Sequence, residues 1–176
     1  MKWIALLACL AFAETASAQS GLANANKWSH GTTLEGFVGA AITPSTMATY
    51  GGSFGWELTP RFEVQGLGSW FPQNTGPDEF AADLKVLMNL MQPTILVPYV
   101  TGGAGLYQGT FDRADSEIDP TAVVGAGAHF YVRRHLSIRP EATLRFVIDQ
   151  SKVYKVATIT FALTYHFEEH AVGNAR

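Results

Sequence analysis

Seven ionisable residues carry the chemical interest of this chain: Glu35, Glu63, Asp83, Lys85, Arg139, Glu141 and Arg145. Asp83 lies two residues from Lys85, and Arg139, Glu141 and Arg145 are separated by even intervals. In an extended chain successive side chains point to opposite faces, so even spacing collects these charges on one face of each strand. Acid and base groups converging from several strands would form either an ion path or proton relay, or a plug of mutual salt bridges. An unpaired charge in such a place costs several kcal/mol, roughly, so pairing is expected.

Other chemistry is weaker. The five histidines show no metal-binding spacing. Asp112, Asp115, Glu117 and Asp119 offer oxygen ligands without the order of a calcium-binding loop, and read better as a solvated external loop. Gly102-Gly103-Ala104-Gly105 sits inside an apolar run with no helix after it, which fits close strand packing or barrel curvature and not a phosphate cradle. No cofactor site and no metal site is expected, nor an enzymatic activity.

The elements that must position the seven charges are strands. From Thr158 to Phe167 small or polar residues alternate with large apolar ones, giving an apolar face of Ile159, Phe161, Leu163, Tyr165 and Phe167. Strands are predicted at Thr32–Ile42, Thr49–Leu58, Arg61–Trp70, Ala81–Leu90, Val97–Gln108, Thr121–Val132, Leu136–Val147 and Val156–Phe167. Each is roughly the nine to eleven residues that a tilted strand needs to cross hydrocarbon. Unpaired backbone is intolerable in a bilayer, so eight such strands imply a closed barrel. Tight connections at Thr59-Pro60 and at Arg133-Arg134-His135 alternate with longer polar ones at Phe71–Phe80, Gly109–Pro120 and Ile148–Lys155. Short turns face the periplasm and longer loops the exterior in outer-membrane barrels. Thr43–Ala48 is short for an external loop and Met91–Leu96 long for an internal turn.

Parity assigns most faces. Phe62, Val64, Gly66, Gly68 and Trp70 oppose Glu63, Gln65, Leu67 and Ser69, and Leu84, Val86, Met88 and Leu90 oppose Asp83, Lys85, Leu87 and Asn89. Leu136, Ile138, Pro140, Ala142, Leu144 and Phe146 likewise oppose Ser137, Arg139, Glu141, Thr143 and Arg145. The first and fifth strands are too rich in Gly and Ala to assign. A soluble barrel would turn these faces inside out, and the sequence alone permits that. Two features favour the membrane orientation. The polar face also holds many glycines, allowing tight packing around paired charges. Aromatics gather near strand ends, at Trp56, Trp70, Phe71, Tyr99, Tyr107, Phe130, Phe146, Tyr165 and Phe167, as an interfacial girdle would require.

The N-terminus supplies a route out of the cell. Lys2, an apolar run from Trp3 to Phe12 and Ala16-Ser17-Ala18 form the three parts of an export signal cleaved after Ala18. The domains expected are a signal peptide at 1–18, a polar leader at 19–31, a barrel at 32–167 and a tail at 168–176. The single cysteine, Cys9, leaves with the signal, so no disulfide framework remains. A net charge of -3 argues against a nucleic-acid partner.

Val97-Pro98-Tyr99-Val100-Thr101-Gly102-Gly103-Ala104-Gly105-Leu106-Tyr107, Val124-Gly125-Ala126-Gly127-Ala128-His129-Phe130-Tyr131, Leu136-Ser137-Ile138-Arg139-Pro140-Glu141-Ala142 and Leu163-Thr164-Tyr165-His166-Phe167 follow one another in order. Together they resemble the small outer-membrane β-barrel family, the group that includes the transmembrane domain of outer membrane protein A. The resemblance implies an all-β, eight-stranded antiparallel up-and-down transmembrane barrel in the outer membrane. It also implies that Tyr165 and Phe167 form the signal read by the outer-membrane assembly machinery, although Glu168 to Arg176 follow it here. The partners expected are the lipid bilayer and that machinery, for a monomer whose surface ligand is unknown. His135-Leu136-Ser137 also echoes the His-x-Ser of outer-membrane lipid A deacylases, with Asp149 as a conceivable third member. That family places Asn where this chain has Ile138, and parity turns His135 and Ser137 toward the lumen instead of the lipid. The expectation is therefore a plugged barrel acting structurally or through its loops. The alternatives are a lipid A-modifying enzyme or a transporter of small hydrophobic compounds.

Overall fold

The computed structural model describes residues 31–42, 46–73, 76–91, 94–109, 117–133, 135–149 and 152–168. They form eight strands: β1 (Gly31–Ile42), β2 (Thr46–Thr59), β3 (Phe62–Phe71), β4 (Glu79–Asn89), β5 (Leu96–Gly109), β6 (Glu117–Arg133), β7 (Leu136–Asp149) and β8 (Lys152–Glu168). Each pairs antiparallel with its sequence neighbours, and β1 pairs with β8 to close the barrel. Closure leaves no strand edge, which satisfies the backbone without help from solvent.

All eight predicted strands are present, with differences at their ends. Gly31 and Glu168 belong to β1 and β8, one residue beyond the expected barrel on each side. β6 begins at Glu117, so Glu117 and Asp119 are strand residues and not part of an external loop; Asp119 is buried. β7 runs to Asp149 and β8 starts at Lys152, which replaces the long connection expected at 148–155 with a hairpin. Alternation persists through these stretches in the structure, and their polar composition had concealed it. The signal peptide, most of the leader and the rest of the tail lie outside the described residues.

The burial pattern follows the parity of each strand. Leu34, Phe54, Leu84, Ile159, Phe161 and Leu163 stand on the outer wall, while the charged positions point inward and are buried. Exposure of so many large apolar side chains on one continuous surface is what lipid solvates and water does not. The two unassigned strands are resolved: β1 turns Thr33, Glu35 and Phe37 inward, and β5 turns Val97, Tyr99, Thr101 and Tyr107 inward. Three aromatics therefore leave the expected girdle. Phe71, Tyr99 and Tyr107 lie inside the barrel: Phe71 shares the parity of Glu63 on β3, and Tyr99 and Tyr107 share that of the buried Val97 and Thr101 on β5. Trp56, Trp70, Tyr165 and Phe167 do face outward near strand ends.

Glycine makes the inner packing possible, as Gly103 and Gly127 illustrate. A side-chain carbon on Gly103 would stand 2.8 Å from Lys85 Cα on β4, so this residue sets how closely β4 and β5 curve together. One on Gly127 would stand 2.5 Å from the Tyr99 hydroxyl, so its absence leaves room for the hydroxyl end of that ring beside β6.

Candidate functional site

The interior is built in three layers along the barrel axis. The middle layer centres on Arg139 of β7. Its guanidinium donates to Glu35 on β1 at 2.7 Å and to the Gln65 side-chain carbonyl on β3 at 3.2 Å. The Gln65 amide donates to Ser53 at 2.6 Å, and the Ser53 hydroxyl donates to Glu35 at 3.2 Å. Thr164 supplies Glu35 with a further donor at 2.8 Å. Glu141 accepts from Lys85 at 2.7 Å and from the Tyr99 hydroxyl at 2.6 Å, and it lies 3.8 Å from Arg139. The Arg139 guanidinium also sits 5.6 Å from the Tyr99 ring centre, in range for a cation–π contact.

The outer layer pairs Arg145 with Asp83, and Thr121 donates to Asp83 at 3.4 Å. Arg145 lies 5.6 Å from the ring centres of both Phe71 and Tyr107. The Tyr107 hydroxyl donates to Glu79. Beyond these groups Ala41, Phe71, Ala81, Tyr107, Val147 and Val156 form an apolar cluster that Met47 and Tyr154 complete. Charges thus give way to a hydrophobic cap at the end away from the short β2–β3 and β6–β7 turns.

The inner layer lies at the short-turn end. Glu63 accepts from Thr33 at 2.8 Å, so its partner is a hydroxyl and not a cation. His166 places Nδ1 3.2 Å from Glu57 and Nε2 3.0 Å from the Ser137 hydroxyl. The rings of His129 and Tyr131 close over it, with centroids 6.0 and 5.2 Å away.

Six of the seven predicted charges, all but Glu63, thus meet in two ion-paired groups. The seven left out Glu57, which has inward parity on β2, and also Glu79, Tyr99 and Tyr107 as polar members of the interior; the approach of His129 and His166 was not foreseen either. Parity was the signal for Glu57 and Glu79, whereas on the Gly- and Ala-rich β5 it gave none for the two tyrosines. A central cavity of about 20 Å³ is lined by Glu35, Lys85, Arg139, Glu141 and Arg145 among others. That is scarcely more than the roughly 10–15 Å³ that one buried water needs.

His135, Ser137 and Asp149 are not brought together. Ser137 is fully buried in the lumen and meets His166; His135 places Nδ1 3.2 Å from the His166 backbone carbonyl. Asp149 is at the far end of β7, about 40 Å from Ser137 at the rise of an extended strand. Among the described residues no group of three or more His, Cys, Asp or Glu side chains could hold a metal ion.

Known proteins share this architecture. The N-terminal β-barrel domain of Pseudomonas aeruginosa OprF superimposes with a TM-score of 0.60 at 20% identity, covering 78% of this chain and 98% of that one. Neisserial surface protein A gives 0.62 at 9% identity, covering 77% and 96%. Ail, the attachment invasion locus protein of Yersinia pestis, gives 0.54 at 15% identity, covering 78% and 99%. These likenesses establish the fold. A search of curated protein sequences finds no match. The family described as outer membrane protein beta-barrel domain matches residues 4–167. With that match spanning nearly the whole chain, over a closed eight-stranded wall that is apolar outside and charged inside, the protein belongs to the outer membrane protein β-barrel family and resides in the outer membrane.

Proposed function

We propose that this barrel is a plugged, monomeric structural element of the outer membrane whose contacts with the surroundings run through its external loops. The observation that carries the reading is the filled lumen. Arg139, Glu35, Lys85 and Glu141 occupy the cross-section at mid-height, around a cavity of only about 20 Å³. Eight strands enclose an interior just wide enough for side chains to fill, and the apolar cluster around Phe71 and Tyr107 supports closure at the outer end. The same cluster weighs against passage of small hydrophobic compounds along the axis. The inward direction of Ser137 and its distance from Asp149 weigh against lipid A cleavage by the set that the sequence suggested.

Tyr165 and Phe167 stand on the lipid face at the end of β8, with ring centroids 4.9 Å apart. They would present the closing aromatic signal to the assembly machinery from that face.

Planar-bilayer recording on the refolded wild-type chain tests the plug. Rare, small conductance steps are expected. Large and steady single-channel currents would replace the plug with a pore.

A further inference from the structure

The inner layer holds an arrangement that a plug does not require. Ser137, His166 and Glu57 stand on β7, β8 and β2, and form a linear relay. The serine oxygen is 3.0 Å from His166 Nε2, and His166 Nδ1 is 3.2 Å from a Glu57 oxygen. All three side chains are buried. A carboxylate at Nδ1 selects the tautomer that carries its proton there, which leaves Nε2 free to accept the serine proton. That is the division of roles in a nucleophile, a base and an orienting acid, which is recognised by geometry and not by chain order.

The fold builds the relay from strand register. Ser137 faces Thr164 across β7 and β8, so His166 is its diagonal neighbour on the same face. His166 faces Thr33 on β1, Thr33 faces Gly55 on β2, and Glu57 is two residues further along that face. Thr33 donates to Glu63, which leaves the Glu57 carboxylate to the histidine. The His166 backbone is held on both sides by His135: its N–H donates to the His135 carbonyl at 2.9 Å, and its carbonyl lies 3.2 Å from His135 Nδ1. The imidazole is thus fixed in place, with the rings of Tyr131 and His129 around it.

We infer that Ser137 is an activated nucleophile inside the periplasmic end of the lumen, competent to take an acyl group from a small ester. This goes beyond the structural role proposed above and does not depend on it. The short turns put the relay at the periplasmic end, so its substrate arrives from the periplasm and not from the outer leaflet. Glu57 and Glu63, which face each other across β2 and β3, make this end acidic and favour neutral over anionic esters. In the reaction Ser137 Oγ bonds to the ester carbonyl carbon while its proton passes to His166 Nε2. The carbon–oxygen bond to the leaving group then breaks, and the departing alkoxide takes the proton from His166. Water, deprotonated by His166, attacks the acyl-serine, releases the carboxylic acid and restores the serine. Ser137 and His166 are the catalytic residues, and Glu57 is a positioning residue.

The test treats the refolded full chain, in micelles, with diisopropyl fluorophosphate. Attack by Ser137 on phosphorus would expel fluoride and leave one diisopropylphosphoryl group, which is located by peptide mass mapping. One adduct on Ser137 is expected, absent from Ser137→Ala, slowed at least a hundredfold in His166→Asn and at least tenfold in Glu57→Gln. Heat-modifiable migration confirms that each variant is folded. An inert folded wild type, or labelling that ignores His166→Asn, overturns the inference. Ser137→Cys, treated with a small methanethiosulfonate, gives a second measurement. Modification of that thiol beside an inert wild-type serine would show a reachable group without activation. Failure to modify it would show a group no substrate reaches. Either result sinks the proposal.

Discussion

Arg139 and Glu35 lie 104 positions apart in the chain and meet at 2.7 Å across the lumen, from strands that are not neighbours in the sheet. Such a pair ties β7 to β1 over the top of β8 and braces the cross-section against collapse. Removing one member leaves the other charge buried without its counter-ion, which costs about 3–5 kcal/mol. Arg139→Met should lower unfolding stability in micelles by that amount, measured by urea titration. The double variant Arg139→Met with Glu35→Gln should recover a good part of the loss. Simple additivity of the two single effects would mean that the pair is not coupled.

The two faces of β8 should respond differently to a cation. Phe161 is on the lipid wall, and an arginine near the bilayer midplane of a barrel costs about 2–4 kcal/mol. Thr160, its neighbour in sequence, lines the central cavity and faces Glu141 across β7 and β8, where an added ammonium finds a carboxylate. Folding yield into lipid vesicles should therefore fall sharply for Phe161→Arg and much less for Thr160→Lys.

Glycines on opposite walls should also separate. Gly127→Ala would press a methyl group against the Tyr99 hydroxyl and loosen the donor that Tyr99 gives to Glu141, at a cost of about 1–3 kcal/mol. Gly68→Ala has nothing within 4 Å of the new carbon and should change stability by less than about 0.5 kcal/mol. Urea midpoints of the two variants decide it.

A wall closed by β1 against β8 should resist detergent until heated. Unboiled protein should migrate apart from boiled protein in detergent electrophoresis, and the two bands should merge once Arg139→Met has been heated only mildly.

Lipid A from cells that express the protein should have the same acyl pattern as lipid A from cells without it. Ser137 points into the lumen at the periplasmic end, on the wrong side of both wall and membrane for lipid A in the outer leaflet. Mass spectrometry showing loss of an acyl chain dependent on Ser137 would contradict this.

The strand count and the faces of most strands were legible because alternation is a local property. Leu84, Val86 and Met88 against Asp83, Lys85 and Leu87 need no knowledge of what lies across the barrel. The relay of Ser137, His166 and Glu57 was not legible. Parity puts all three inside, but their meeting depends on the register of β7 with β8, β8 with β1 and β1 with β2. The same limit hid the pairing of Glu63 with Thr33 instead of a cation. Phe71, Tyr99 and Tyr107 were misplaced for another reason. Nearness to a strand end suggests the interface, the Gly- and Ala-rich fifth strand offers no parity to oppose it, and in a lumen this narrow aromatic rings are useful fillers around guanidinium groups.

The seam between β1 and β8 has a consequence for how the chain folds. Glu35 receives a hydrogen bond from Thr164, 129 positions away, so the first and last strands must find each other across nearly the whole domain. Contacts of such long range come late, because the entropy of closing the loop is lost before any of them can form. Until the seam shuts, Glu35 faces an open sheet without its counter-charge, and Arg139 has only Glu141 of its own strand beside it. Folding should then show a long lag followed by one cooperative step in which seam and ion pair appear together.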